Sequence, residues 1–242
     1  MGRIDVLGVG FDDFTNESAV ALAYEKIKSG EKTYVVTPNP EIVWLTRKDD
    51  KLRTVLNDAG LVLADGIGIV IGAKILGTPL NGGRVPGIDF ISLLFEKLAT
   101  TGARVFLLGA KPGVAQIAGK KLAEKYSGLV ISATSDGYFT DVTALIEEIN
   151  ASSSDLLLVC LGAPKQEFWM SENLDLLNVP LCAGLGGSLD VFAGNVKRAP
   201  VFFRRLGLEW LYRIIKEPKR IKRSLSLPLF LLRVIFKKIS GK

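Results

Sequence analysis

The stretch ARVFLLGAKPGVAQIAGKKLAEKY, residues 103–126, contains the pattern that decides the fold. Its first seven residues form an apolar run of strand length. A turn rich in glycine and proline follows at 108–113, and the next residues show the 3.6-residue periodicity of an amphipathic helix. A strand, a short turn and a helix in this order are typical of a β-α unit, and the unit recurs along the chain.

Six further apolar runs predict strands, and the segments between them predict helices such as 16–29 and 87–101. The strand candidates are RIDVLGVG (3–10), KTYVVT (32–37), GLVLAD (60–65), LVISAT (129–134), DLLLVCLG (155–162) and VPLCAGLGG (179–187). This alternation predicts an open, mostly parallel, Rossmann-like α/β sheet with helices on both faces. We assign it to residues 1–195, because no repeat, linker or boundary precedes Ala193, and we assign a basic helical appendage to residues 196–242.

The composition limits the chemistry that the chain can perform. There is no histidine among the 242 residues, which excludes a Ser-His-Asp triad, a Cys-His pair and a His-liganded metal. Acid or base chemistry must therefore use Asp, Glu, Lys or Tyr. Cys160 and Cys182 lie in apolar, strand-like runs and are predicted to be core residues of a reduced protein. No D-x-D sequence or carboxylate cluster has the spacing of a Mg²⁺ or Mn²⁺ site, so no metal is expected.

The charge is distributed unevenly. From Val196 to the end there are 14 Lys or Arg and 2 Asp or Glu, a net +12, whereas residues 1–195 hold 17 and 23, a net −6. Such a basic segment predicts a polyanionic partner, which is an anionic membrane, nucleic acid or a phosphorylated substrate. Asp5 and the glycines near it argue against a signal peptide, and no run of about 18 apolar residues lacks charges, so no spanning helix is predicted.

Ligands of open parallel sheets bind beyond the carboxyl ends of the strands. These ends read TPNPE (37–41), ADG (64–66), LGAKPG (108–113), SDGYF (135–139), LGAPKQE (161–167) and GLGGSLD (184–190). Asp65 has two interpretations: it caps the following helix, or it is the general base of a protein without histidine. Asp190 is the second candidate base, and it also suits a ribose contact or a helix cap.

Four further polar positions are predicted to contact a ligand. Thr37 and Asn39 lie in a proline-fixed loop and carry groups suited to sugar hydroxyls. Gln166 follows a proline at a predicted helix start in the mouth of the sheet. Arg84 lies in a glycine-rich loop, and a ligand-binding role for it is supported by the other polar candidates at the strand ends. A dinucleotide site is not predicted, because Gly8 and Gly10 lack the third glycine of the fingerprint.

The appendage divides at Pro218, which is predicted to break a helix over 208–225 near Glu217. On a helical projection its cations fall within an arc of about 80° and its apolar side chains lie opposite. The following run, SLPLFLLRVIFKK (226–238), is too short and interrupted to cross a bilayer but suits its interface, and we attribute it to the membrane alone. The alternatives are a helix packed on the core with its charges in water, and nucleic-acid binding, which is not predicted because no recognised module is present.

Taken in order, these motifs resemble those of the WecG/TagA/CpsF bacterial glycosyltransferases, glycosyltransferase family 26. The resemblance runs from TPNPEIV through ADGIGIV, RVPGIDF, VFLLGAKPGV, DGYF, LGAPKQEFW and GGSLDVFAGNVKRAP to LGLEWLYRIIKEPKRIKR. It is strongest to the teichoic-acid branch. It implies an inverting, metal-independent enzyme without a cofactor, which transfers N-acetylmannosamine from its UDP-sugar to undecaprenyl-diphosphate-linked GlcNAc in wall teichoic acid synthesis.

The resemblance also implies roles for single residues. It makes Asp65 the general base and Arg84 a catalytic arginine. It assigns substrate contacts to Thr37, Asn39, Gly109, Tyr138, Gln166, Gly187 and Asp190, and contacts to the diphosphate of the lipid-linked acceptor to Arg213, Arg220 and Arg223. The appendage is implied to close over the active site, to hold the protein peripherally on the cytoplasmic face of the bacterial membrane, and to take part in a monomer–oligomer equilibrium.

Two alternatives to this assignment remain open. In the first, the chain is an enzyme of the same family whose donor is a different UDP-sugar, such as UDP-ManNAc uronic acid or UDP-glucose, used for another surface polysaccharide. In the second, the chain is a non-catalytic nucleotide-sugar-binding protein that its tail recruits to membranes.

Overall fold

The structure, a computed structural model, describes residues 2–216 and 225–241. Its strands are β1 (Ile4–Val6), β2 (Val9–Phe11), β3 (Thr33–Val36), β4 (Leu61–Val62), β5 (Arg104–Gly109), β6 (Val130–Ser135), β7 (Leu156–Cys160) and β8 (Leu181–Gly184). Its helices are α1 (Asn16–Ser29), α2 (Pro40–Leu45), α3 (Asp50–Asp58), α4 (Ile67–Leu76), α5 (Gly87–Ala99), α6 (Val114–Lys125), α7 (Val142–Ala151), α8 (Lys165–Asn173), α9 (Ser188–Phe192), α10 (Val201–Arg205), α11 (Glu209–Lys216) and α12 (Ser226–Ser240), with a 3₁₀ turn at Leu174–Leu176.

Six strands form one sheet in the order β4-β3-β8-β7-β5-β6, and every neighbouring pair is parallel. Strand β5 illustrates why the sequences of the central strands are continuous apolar runs. Phe106 and Leu108 belong to the hydrophobic core on one face of the sheet, whereas Val105 and Leu107 belong to the core on the other. Because side chains alternate across a strand and both faces are covered, each position must be apolar.

Helices cover both faces of the sheet, as predicted. One core is formed with α1, α5, α6 and α9, and the other with the β1-β2 pair and with α2, α3, α4, α7, α8 and α12. Cys160 on β7 and Cys182 on β8 are free, buried thiols inside these cores. Burial raises the pKa of each to about 12, so both are held as neutral thiols. Their prediction as core residues is confirmed.

The prediction that residues 3–10 form one strand of the parallel sheet is wrong. They form an antiparallel hairpin, β1-β2, outside the six-stranded sheet. Its turn has Leu7 at φ 58° and Gly8 at φ 92°, and the Gly8 N–H donates to Asp5 Oδ2 at 3.0 Å. Two successive positive φ values twist a two-residue turn in the sense that an antiparallel hairpin requires.

Within the stretch TPNPE, Thr37, Pro38 and Asn39 form a short connection after β3, as the sequence predicted, and Pro40 and Glu41 begin helix α2. Asn39 is the N-cap of α2, and its Oδ1 accepts a hydrogen bond from the Ile42 N–H at 3.1 Å. Pro40 takes the first helical position, where the missing N–H has no cost. The Asn39 side chain is therefore fixed by the backbone that follows it.

Helix α12 corrects the attribution of its segment to the membrane alone. Phe230 and Val234 are fully buried and belong to the same core as the hairpin and α4. They pack on α4 at Gly72, where a Cβ would lie 3.1 Å from the Phe230 ring. Pro228 lies in the first turn of α12, where proline is tolerated. One face of this helix is therefore part of the folded core.

The opposite face of α12 is apolar and exposed. Its exposed side chains are Leu229, Leu232, Ile235, Phe236 and Ile239. Within the described ranges, no helix has the length and apolar character needed to cross a membrane.

Candidate active site

The sheet order brings four of the predicted site segments to one edge. Strands β4, β3, β8 and β7 are neighbours, and all are parallel, so their carboxyl ends lie side by side. Asp65 follows β4, Thr37 and Asn39 follow β3, Gly187 follows β8 and Gln166 follows β7. The convergence expected from the strand-end positions of these residues is therefore observed.

A cavity of about 190 Å³ lies at this edge, beneath the appendage. Three predicted residues, Asn39, Asp65 and Arg84, line it together. The other lining residues are Pro40, Glu41, Gly66, Ile67 and Gly68 from the sheet side, and Gly207, Glu209, Trp210, Ser226 and Leu227 from the appendage. The cavity therefore combines the carboxyl ends of β3 and β4 with α11 and the start of α12.

Asp65 is placed by the short connection between β4 and α4. Its backbone N–H donates to the Pro38 carbonyl at 3.3 Å, which ties it to the segment after β3. The N-cap residue of α4 is Gly66, at φ 106°, so Asp65 precedes the cap position. The left-handed backbone at Gly66 favours glycine and turns the chain directly after the carboxylate. Asp65 is half-buried at the cavity wall.

Arg84 connects the loop before α5 to the appendage. Its Nη1 lies 3.1 Å from Glu209 Oε2 in an ion pair, and its Nη2 donates to the Arg204 carbonyl oxygen. The side chains of Arg84 and Glu209 are only 20% and 16% exposed. An ion pair this sheltered is screened less than a surface pair, so it fixes both side chains at the cavity.

Thr37 directly follows β3. It is 8% exposed, and its hydroxyl donates to the Gly184 carbonyl at 3.4 Å. Gly87, at the start of α5, packs against it, since a Cβ there would lie 3.3 Å from Thr37 Oγ1. The hydroxyl therefore joins the ends of β3 and β8 in the structure.

The sequence of the chain matches a known protein family along nearly its whole length. Residues 4–242 match the profile of the glycosyl transferase WecG/TagA/CpsF family. The chain belongs to this family. It is 39% identical over 202 residues to the N-acetylglucosaminyldiphosphoundecaprenol N-acetyl-β-D-mannosaminyltransferase of Bacillus spizizenii, which covers 84% of this chain and 78% of that protein. The Staphylococcus aureus (strain MW2) protein of the same name is 34% identical over 239 residues, covering 96% and 92%.

The family's P-K-Q-E motif forms a buried amide–carboxyl pair here. Gln166 is 3% exposed, its Oε1 accepts from the Gly186 N–H at 2.9 Å, and its Nε2 donates to Glu167 Oε1 at 2.9 Å. Gln166 thus holds the glycine-rich turn after β8, and its predicted contact with substrate stays a prediction. Glu167 is 1% exposed, and its Oε2 is buried with no hydrogen-bond partner in the part of the chain that the structure describes. Burial raises the pKa of Glu167 above its ordinary value.

This environment predicts a pH-dependent effect of Glu167→Gln on stability. The pKa of Glu167 is higher in the folded protein than in the unfolded chain, where it is near 4.5. The contribution of this carboxyl group to the free energy of unfolding is therefore fully present below the unfolded pKa and is lost as the pH rises through the folded pKa. Relative to the unmodified protein, Glu167→Gln should therefore gain thermal stability between pH 5 and pH 8. Thermal unfolding across this range measures the difference. Glu172→Gln, on the same helix but exposed, is the control and should show no such trend.

The other predicted substrate residues lie outside the cavity. Gly109 ends β5 at φ 129°, and a Cβ there would lie 2.4 Å from the Cys160 carbonyl oxygen, which explains the glycine structurally. Tyr138 follows the edge strand β6 and is 66% exposed. Gly187 is exposed with open space around it, and the Asp190 carbonyl accepts from the N–H groups of two residues after α9. Their binding roles stay predictions.

Of the three predicted arginines of the appendage, the structure describes the backbone position of one. Arg213 lies in α11, whose first residue pairs with Arg84, but its side chain is outside the described part of the structure. Arg220 and Arg223 lie outside the described residues. Their assignment to a diphosphate stays a prediction.

Three residues at or near the cavity were not predicted from the sequence: Glu209, Trp210 and Arg198. Glu209 is one of only two acidic residues after Val196, and a lone carboxylate within a basic segment is a signal for an arginine partner. Arg198 pairs with Asp89 in the first turn of α5, at 2.6 Å between Nη1 and Oδ1. No pattern in the sequence indicated that Trp210 reaches the cavity, because that depends on how α11 packs.

Proposed function

We propose that the chain transfers N-acetylmannosamine from UDP-ManNAc to GlcNAc-diphosphoundecaprenol in wall teichoic acid synthesis. The observation that supports this most strongly is the likeness, along nearly the whole chain, to enzymes named for this transfer. The cavity adds physical support, because a half-buried carboxylate, Asp65, and a guanidinium, Arg84, both line it. A base and a cation in one sheltered site suit the transfer of a sugar from a diphosphate leaving group.

In the proposed reaction, Asp65 accepts the proton of the acceptor sugar's 4-hydroxyl group. The oxygen attacks the anomeric carbon of the donor from the face opposite the diphosphate. A new carbon–oxygen bond forms as the bond from that carbon to the diphosphate oxygen breaks. The electron pair of the broken bond leaves on UDP, and the configuration at the anomeric carbon inverts to β.

Arg84 is the described residue best placed to stabilise the leaving group. Its guanidinium group lies at the cavity with Asp65, and guanidinium groups bind phosphate oxygens through two parallel hydrogen bonds. Arg213, Arg220 and Arg223 are proposed to add charge from the appendage. In this proposal arginines take the role that a divalent cation has in metal-dependent transferases.

Release of UDP by the purified protein tests the proposal. With UDP-ManNAc and a short-chain prenyl-diphosphate-linked GlcNAc, UDP release should depend on the acceptor and should persist in excess EDTA. UDP-glucose and UDP-ManNAc uronic acid, run in parallel, identify the donor. Binding of UDP-ManNAc without acceptor-dependent release would instead support a non-catalytic binding protein.

We propose that the protein acts peripherally at the cytoplasmic face of the membrane, with the exposed face of α12 in the lipid interface. This face is apolar from Leu229 to Ile239. A cleft of about 780 Å³ beside it is lined by four cations, Arg47, Arg53, Arg233 and Lys237. Apolar side chains flanked by cations suit an interface of anionic lipids.

Replacing Leu232 and Phe236 together by serine should lower binding to vesicles of phosphatidylglycerol about tenfold or more, because two apolar side chains no longer enter the interface. They are 63% and 67% exposed, so the fold should be preserved. Co-sedimentation with vesicles measures the binding. Leu176→Ser, at an exposed residue distant from α12 in sequence, is the control. Equal binding by the double variant and the control would contradict the placement of α12 in lipid.

A further inference from the structure

Glu209, the first residue of α11, lies between two guanidinium groups. Its Oε2 is 3.1 Å from Arg84 Nη1, and its Oε1 is 3.9 Å from Arg198 Nη2. All three side chains are less than a quarter exposed. One carboxylate at the active-site cavity is therefore shared by two arginines that come from different segments of the chain.

Arg198 is incompletely satisfied in this arrangement. Its Nη1 is bound to Asp89 at 2.6 Å, but its Nη2 is buried and has no hydrogen-bond partner within residues 2–216 and 225–241. The 3.9 Å separation from Glu209 is too long for a hydrogen bond. A buried donor without an acceptor is costly, and an anion with more oxygens than a carboxylate would satisfy it. A diphosphate has both the additional oxygens and the additional charge.

The size of the cavity also indicates that Glu209 gives way to a larger ligand. Sites for small molecules and cofactors usually enclose about 300–1,000 Å³, whereas this cavity encloses about 190 Å³. Glu209 and Trp210 form part of its wall on the appendage side. A nucleotide sugar is larger than this volume, and the ion pair between Glu209 and Arg84 is a contact that holds this wall in place.

We propose that Arg84 and Arg198 together bind the diphosphate of the donor, and that Glu209 competes with this diphosphate for the same two guanidinium groups. The inference rests on the proposed function, since it takes a nucleotide sugar as the ligand. When the diphosphate replaces the Glu209 carboxylate, α11 loses its ion pair to Arg84 and the cavity widens. Donor binding thereby repositions the helix that carries Arg213.

Calorimetric titration with UDP tests both parts of the inference. Glu209→Gln removes the competing charge, so UDP should bind about threefold to tenfold more tightly. Arg198→Gln should weaken UDP binding about tenfold or more, because a charge-assisted contact is lost. Lys28→Gln and Glu172→Gln, which break exposed ion pairs elsewhere, are the controls and should bind UDP as the unmodified protein does.

Glu209→Gln should raise UDP affinity less when Arg198→Gln is also present than when it is the only substitution, because the two side chains share one site. Arg198→Lys, which keeps the charge facing Asp89, replaces Arg198→Gln if that variant does not fold, and it should also bind UDP more weakly. Unchanged affinity in the Arg198 variants, or weaker binding by Glu209→Gln, would overturn this inference alone. Failure of the unmodified protein to bind UDP would overturn the proposed function as well.

Discussion

Asp65→Asn should lower the turnover of the transferase about 10²-fold or more, because the amide cannot accept the proton of the acceptor hydroxyl. The substitution keeps the size of the side chain at the wall of the cavity that Asp65 lines with Asn39 and Arg84. UDP affinity should therefore remain near that of the unmodified protein. Initial rates of acceptor-dependent UDP release, together with titration of UDP, separate the loss of turnover from a loss of binding.

Asp58→Asn, at an exposed position on the last turn of α3, is the control for this experiment and should retain the unmodified rate. A rate for Asp65→Asn close to that of the control would show that Asp65 is not the base. A loss of rate accompanied by an equal loss of UDP affinity would assign Asp65 to donor binding instead.

Phe230→Ala should lower the free energy of unfolding by about 3–5 kcal/mol, the range for deleting a fully buried aromatic ring. Phe230 is 0% exposed and packs on Gly72 of α4, a helix that begins two residues after Asp65. The effect should therefore appear in the cooperative unfolding of the whole chain. Chemical denaturation followed by circular dichroism measures it.

Phe236→Ala supplies a control within the same helix. Phe236 is 67% exposed, so its replacement should change the free energy of unfolding by less than about 0.5 kcal/mol. If both variants unfolded like the unmodified protein, α12 would not be docked on the core in solution.

Because α12 is part of the folded core, deleting residues 201–242 would destabilise the domain. Point variants are therefore the better test of the role of the appendage in catalysis.

The sequence was most informative where a strand is buried on both faces. Runs such as VFLLG at β5 and LLLVC at β7 are apolar at every position because two cores use alternate side chains. Together with the helical periodicity between them, they specify the parallel sheet and the edge where ligands bind. Asp65, Asn39 and Arg84 converge there as expected.

The sequence was least informative where the outcome depends on one turn or on distant packing. The hairpin of residues 4–11 turns at Leu7 and Gly8, and Leu7 is a residue type that rarely has a positive φ, so a single glycine within the apolar run did not distinguish a turn from one continuous strand. The docking of α12 depends on Gly68 and Gly72, which let Leu227 and Phe230 approach α4 closely. Those glycines are about 160 residues away along the chain, and periodicity within α12 does not identify its partner.

The configuration of the product tests the central claim most directly. The protein is incubated with UDP-ManNAc and a short-chain prenyl-diphosphate-linked GlcNAc, and the disaccharide is isolated and its new linkage is determined by NMR. Direct attack by a hydroxyl that Asp65 deprotonates predicts one product, ManNAc joined in the β configuration to the 4-oxygen of GlcNAc. An α-linked product, or no disaccharide from protein that binds UDP, would contradict the account.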